Sequence, residues 1–252
     1  MIVERVRIMR KILITNDDGI EADGLIRLAR AACAFGEVWV VAPESQRSAC
    51  SHAITLREPI EVTPFPEFPV EGVKAYACSG TPADCVRVGG LNVLPERPDI
   101  LLSGINYGYN AATDIQYSGT LGAAFEGSFQ GYHAIAVSES ADPCHENADA
   151  YLDQLLAEAL EIKLGYGQVV NINFPHGPLS ECKGIKRNRT VSKGMFYNDR
   201  YKQTREREDG VVELMVDGEW TGIGEEGTDL EAIVDGYVSV GIVNNVGCAI
   251  QL

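Results

Sequence analysis

The stretch Ile14-Thr15-Asn16-Asp17-Asp18-Gly19 closes an apolar run on two adjacent carboxylates. Like charges side by side repel, so a folded chain must solvate them or give them a cation. Three further loops bring small oxygen-bearing side chains after predicted strands. They are Pro43-Glu44-Ser45-Gln46-Arg47-Ser48, Ser79-Gly80-Thr81-Pro82 and Ser103-Gly104-Ile105-Asn106-Tyr107-Gly108. Two carboxylates with hydroxyl and amide oxygens make a hard site, suited to Mg²⁺ or Mn²⁺. The four histidines and seven cysteines show no CxxC, HxH or HExxH spacing, which argues against zinc. The competing reading is that Asp17 caps the following helix and Asp18 is solvated.

Two predicted helix starts carry anion chemistry. Small residues in Tyr117-Ser118-Gly119-Thr120-Leu121-Gly122 let backbone N–H groups and hydroxyls reach a phosphate, and the helix dipole favours it. Ser79-Gly80-Thr81 can do the same. No lysine completes a P-loop, and no GxGxxG follows the first strand, so NAD binding is disfavoured. Arg47 reads equally as an anion clamp or as the partner of a nearby carboxylate.

These loops need a scaffold that gathers them. Lys11 to Thr15, Val38 to Ala42, Lys74 to Ala77, Asp99 to Leu102, Ala134 to Ser138 and Val169 to Phe174 read as buried strands. Ala22 to Phe35 reads as a helix, with Leu25, Leu28, Ala29, Ala32 and Cys33 on one face and Gly36 as its stop. Thr81 to Val88, Gly119 to Gln130 and Ala148 to Leu164 are further helices. Strands alternating with helices predict a three-layer α/β/α, Rossmann-like fold with a mostly parallel sheet, whose ligands bind beyond the carboxyl ends of the strands. A hairpin around Asp209-Gly210, a helix near Leu230 to Val234 and a strand near Tyr237 to Val243 follow. One domain is expected over residues 1–252. Its core covers about 11–180, a protruding C-terminal arm about 183–222, and a final helix and strand about 228–252.

The net charge of −15 disfavours a nonspecific nucleic-acid binder. Residues 183–207 are the exception, with nine basic and two acidic residues. With Phe196, Tyr197 and Tyr201, this basic run reads as a contact for nucleotide phosphates or bases, or as a solvated or subunit-bridging hairpin. No apolar run is long enough to span a bilayer, and MIVERVRIMRK lacks the apolar region of a signal peptide. A cytoplasmic protein is expected, and the odd, scattered cysteines, Cys78 and Cys85 among them, read as unpaired reduced thiols.

Five blocks in order, ILITNDDGI, VVAPESQRSA, SGTPADCV, SGINYGYN and YSGTLGAAFEG, resemble the SurE family, the survival protein E nucleotidases. The resemblance implies a phosphoric monoester hydrolase of the 5′-nucleotidase or acid phosphatase type, acting on nucleoside 5′- and 3′-monophosphates. It implies one divalent ion held by Asp17, Asp18, Ser48 and Asn106, Ser48 being the serine after Arg in the APxxxRS pattern. It also implies dimers or tetramers that exchange a C-terminal arm. The expected chemistry has Asp17 or Asp18 orienting or deprotonating water, while Asn16, Ser103, Gly104, Gly119 and Thr120 bind phosphate. An aspartyl-phosphate route is disfavoured, because NDDGI does not meet the DxDxT pattern. A non-catalytic nucleotide-binding regulator on the same fold, or an RNA-binding subunit using the basic arm, are the rival functions. The first ten residues precede the usual family start, and IVNNVGCAIQL departs from the usual end.

Overall fold

The computed structural model describes residues 9–245. Most of the N-terminal extension and of the IVNNVGCAIQL tail, with Cys248, lies outside the described residues. The chain runs β1 (Arg10–Thr15), α1 (Asp23–Ala32), β2 (Gly36–Pro43), β3 (Val62–Pro64), β4 (Lys74–Cys78) and α2 (Pro82–Val88). It continues through β5 (Ile100–Tyr107), α3 (Gly119–Phe129), β6 (His133–Glu139), α4 (Glu146–Ala159), β7 (Gln168–Phe174) and β8 (Ile185–Arg189). The last elements are β9 (Tyr197–Asn198), β10 (Tyr201–Glu206), β11 (Val212–Val216), β12 (Glu219–Trp220), α5 (Asp229–Val234) and β13 (Val238–Asn244).

Nine strands form one sheet in the order β3-β4-β2-β1-β5-β6-β7-β13-β8. The six from β4 to β7 are parallel, while β3 and β13 run antiparallel to their neighbours β4 and β7. Both faces are covered, so the central strands are apolar throughout rather than alternating. Ile12, Ile14 and Val40 pack with Leu25 and Leu28 of α1 and Leu152 and Leu155 of α4 on one side. Leu13, Trp39, Val41 and Leu101 pack with Val86 of α2 and Ala123 of α3 on the other. The three-layer α/β expectation therefore holds, with the antiparallel hairpins β10–β11 and β9–β12 outside the large sheet.

Several boundaries differ from the expectation. Helix α1 stops at Ala32, so Cys33 caps its C-terminus and is exposed instead of joining the core face. Gly36 opens β2 and is no helix stop; a Cβ there would stand 2.2 Å from the Arg10 carbonyl oxygen. Helix α4 ends at Ala159, not near Leu164. The basic segment divides, since Ile185–Arg189 is a strand of the large sheet and the hairpins come after it. Strand β5 continues five residues past Leu102 to Tyr107. Cys78 and Cys85 are buried free thiols.

Candidate active site at the switch point of the sheet

From β1 the chain winds outward through β2 and β4, then returns to the opposite side of β1 with β5. The crevice between the carboxyl ends of β1 and β5 is thus the topological switch point, where open α/β sheets bind ligands. Asp17 and Asp18 follow β1 there, and Asn106 and Tyr107 end β5.

Asp17 is 4% exposed and accepts a 2.6 Å hydrogen bond at Oδ1 from the Thr120 hydroxyl. Burial, then the neighbouring charge of Asp18, pushes its carboxyl up to about 6, against the downward pull of Thr120. Asp18 is half-buried, and burial raises its carboxyl too; its Oδ2 accepts the Tyr107 N–H at 3.1 Å. Among the described residues no Lys, Arg or His forms an ion pair with either carboxylate.

The Asn106 amide is oriented by donation from Nδ2 to the Gly108 carbonyl at 2.8 Å. Its Oδ1 then lies 3.3 Å from the Thr120 hydroxyl, whose single proton already serves Asp17. Acceptor oxygens from Asp17 and Asn106 therefore meet around one hydroxyl with too few protons between them. A hard cation satisfies such a set of donors. No cluster of three His, Cys, Asp or Glu side chains occurs among the described residues, so the set depends on its amide and hydroxyl oxygens.

Ser48 comes from the loop after β2. The loop is tied to the site through its backbone, where the Arg47 N–H donates to the Asp17 carbonyl at 2.7 Å. The Ser48 hydroxyl itself is exposed and accepts from Gln46 at 2.9 Å. Ala49 and Ser51 hold left-handed backbone, φ 56° and 55°, a conformation rare for side chains with a Cβ and concentrated at functional loops. His52 latches the loop onto α3 through Glu126 at 2.9 Å.

Helix α3 begins against the same carboxylate. Ser118 caps it by accepting from the Leu121 N–H at 3.0 Å. A Cβ on Gly119 would stand 2.9 Å from Asp17 Oδ2 and 2.8 Å from the Cys50 sulfur, so only glycine admits this approach. Residues 12–196 match the family described as Survival protein SurE. The chain belongs to the SurE family.

A relative from Thermosipho melanesiensis named 5′-nucleotidase SurE is 41% identical, over 91% of this chain and 89% of its own. A relative of the same name from Aeromonas hydrophila is 36% identical, over 91% and 90%. A crystal structure of a SurE protein from Aquifex aeolicus superimposes with a TM-score of 0.77 at 32% identity, covering 93% of each chain.

Within this SurE fold the structure gathers Asp17, Asp18, Asn106, Gly119 and Thr120, and gives each named residue a definite set of contacts. The buried Thr120 hydroxyl donates to Asp17 and so positions its carboxylate. Asn16 closes its own turn, with Nδ2 donating to the Gly19 carbonyl and Oδ1 accepting the Gly19 N–H. Ser103 and Gly104 lie buried inside β5, not in a loop at its end. Asp17 does not cap the helix that follows it, since α1 begins at Asp23 and its N-cap, Ala22, offers no side-chain bond. The Ser79-Gly80-Thr81 helix start is already filled by Asp84, whose carboxylate accepts from the N–H groups of Thr55 and Thr81. Among the described residues Arg47 pairs with no carboxylate; its guanidinium donates to the Ser79 carbonyl at 2.9 Å and its buried Nε has no partner there. The backbone N–H of Tyr107 and the sulfur of Cys50 were not foreseeable, because neither carries a sequence signal for contact with this site.

Proposed function

We propose that this SurE chain is a metal-dependent phosphomonoesterase that releases phosphate from nucleoside 5′-monophosphates, and from 3′-monophosphates. The nucleotidase part is supported by the relatives' shared name. The metal part rests on one observation, the convergence of two carboxylates and the Asn106 amide oxygen at the switch point without a protein cation. Asp17, Asp18, Asn106 and Ser48 would hold one Mg²⁺ or Mn²⁺ per subunit. Bound there, such an ion supplies positive charge to a phosphate oxygen and acidifies water beside it.

The chain's own residues do the rest. Thr120 fixes the rotamer of Asp17, and Tyr107 fixes that of Asp18. Asp18 is the less enclosed of the two and is placed to accept a proton from attacking water. The N-terminal turn of α3 presents its positive end to the phosphate. Phosphate release should be followed for a panel of 5′- and 3′-mononucleotides with EDTA, Mg²⁺ or Mn²⁺. Release that EDTA abolishes and a metal restores is the expected result. Nucleotide binding without release under any metal would make the chain a regulator instead.

The arm is the proposed oligomer contact, forming a homodimer or homotetramer. Every residue of β10 and β11 is exposed, including Tyr201 at 69%, Leu214 at 59% and Met215 at 63%. A lone two-stranded hairpin has little core of its own, and so large an apolar surface suits a second copy of the chain. The Asp217 N–H donates to the Arg200 carbonyl at 2.8 Å, so the hairpin can be excised where its ends meet. Light scattering should show an oligomer for the full chain and a monomer after removal of residues 201–216. A monomeric full chain would sink this assignment.

A further inference from the structure

Arg47 stands on the loop after β2, and among the described residues its charge meets no carboxylate. The loop is seated on the acidic turn. The Ile20 N–H donates to the Pro43 carbonyl at 2.8 Å, and the Arg47 N–H to the Asp17 carbonyl at 2.7 Å. The guanidinium itself makes one hydrogen bond, from Nη2 to the Ser79 carbonyl, and the adjacent Nε is buried without an acceptor. Arg27 and Arg87 differ, since both end on carboxylates, Glu139 and Glu126. Asp84, at the turn that carries Ser79, is already engaged by the N–H groups of Thr55 and Thr81 and by the Thr55 hydroxyl. A partly buried cation with an unfilled donor is unfavourable until an anion completes it. Cys50 shows where that charge lies. Burial, then the Asp17 carboxylate, pushes the Cys50 thiol up, and the Arg47 charge pulls it down. The Cys50 sulfur and Asp17 Oδ2 both crowd Gly119 at the start of α3. Guanidinium, carboxylate and helix start are therefore within electrostatic reach of one another.

We propose that Arg47 grips the phosphate of the substrate through its Nε and Nη2 donors, and that the Ser79 carbonyl is its resting place when no substrate is bound. The inference rests on the phosphomonoesterase reading for the identity of the anion. One bond to Ser79 leaves half of the guanidinium fork unfilled, whereas a phosphate offers two acceptors at the matching spacing. Two carboxylates oppose an arriving phosphate, and a fixed cation on the neighbouring loop supplies counter-charge from this chain itself. The same donors then face the phosphoryl oxygens as charge builds on them.

The probe is inorganic phosphate, titrated by calorimetry into the full chain with Mg²⁺. Arg47→Gln should bind it about tenfold more weakly or worse. Its Mn²⁺ affinity, read by electron paramagnetic resonance, should match wild type. Arg47→Lys keeps a cation that can reach the Ser79 carbonyl but has no fork, and should lose nearly as much phosphate affinity. On nucleoside monophosphates kcat/KM should fall about 100-fold or more in Arg47→Gln. Added guanidinium ion should restore part of the rate to Arg47→Ala and none to wild type. Unchanged phosphate binding in Arg47→Gln, or full binding in Arg47→Lys, would overturn the proposal and leave Arg47 as a tie to Ser79. Equal losses of phosphate and Mn²⁺ affinity would overturn it too, by showing that the loop itself has moved. So would a wild type that binds no phosphate. Phosphate binding that Arg47→Gln removes, in a protein that hydrolyses no nucleotide, would uphold the clamp while removing the phosphomonoesterase reading.

Discussion

Asp17→Asn should make the metal-free protein more stable while removing the metal-dependent activity proposed for it. Burial, then the charge of Asp18, raises the Asp17 carboxyl from 3.8 to about 6, although the Thr120 hydrogen bond opposes this. Between those values the folded chain keeps a proton that the unfolded chain has lost. Stability of the metal-free protein therefore falls as pH rises from about 4 to 6, and stays lower above. Two pKa units correspond to roughly 3 kcal/mol. Asparagine keeps the acceptor for Thr120 and carries no charge, so the variant recovers up to about that amount at pH 7. For a chain of this size the gain is roughly 5–10 °C in Tm. The wild type should regain stability when Mn²⁺ binds the folded state, and the variant should respond far less. Thermal unfolding from pH 4 to 8, with EDTA or with Mn²⁺, checks both halves. A variant less stable than wild type in EDTA at pH 7, or an equal response to metal, would show that Asp17 is a structural acid and no metal ligand.

The opening carboxylates were legible because their neighbours are local. An apolar strand, an acidic turn and a helix follow one another within residues 10–32, and short-range pattern is what periodicity reads well. The same reasoning misplaced Ser103 and Gly104. A glycine after an apolar run looks like a strand end, but here a register shift between Ser103 and Asn106 carries β5 onward beside β6. Thr120 was assigned to phosphate because a hydroxyl at a helix start commonly caps or binds anions. Its hydrogen bond to Asp17 was not read, because that residue lies 103 positions earlier and only the folded sheet brings the two together. Helix α2 was read within a residue of its bounds, but the anion site suggested at its start is taken by Asp84, which completes the capping box with Thr81. A cavity lined by aromatic side chains of the C-terminal half was least legible. Its walls come from Tyr109, His176, Phe196 and Trp220, and no spacing rule links positions so far apart. The hydroxyl of Ser48 was named through family pattern, while the backbone bond from Arg47 to Asp17 that anchors its loop leaves no trace in residue type.

Gly104→Ala is the substitution expected to damage the fold most through a single methyl group. Gly104 has φ +136°, a region that L residues with a Cβ rarely enter. An alanine Cβ would also lie 2.1 Å from the Val137 carbonyl oxygen. That oxygen belongs to the backbone of β6, so no side chain can turn aside to make room. Strain and overpacking together should cost roughly 3–5 kcal/mol, a large part of the 5–15 kcal/mol that holds a typical domain. Gly108→Ala separates the two causes. Its φ is +130°, so the strain is shared, but its Cβ would meet nothing closer than the Asn106 side chain at 3.7 Å. That variant should fold with a loss of only about 1–2 kcal/mol. Urea unfolding of both proteins reads the difference directly. Costs within about 1 kcal/mol of each other would mean that β5 can draw away from β6 at Gly104. The close approach would then not be what carries Asn106 and Tyr107 to the carboxylates. A large gap between the two would tie the Asn106 amide to a strand pairing that tolerates no side chain at its tightest point.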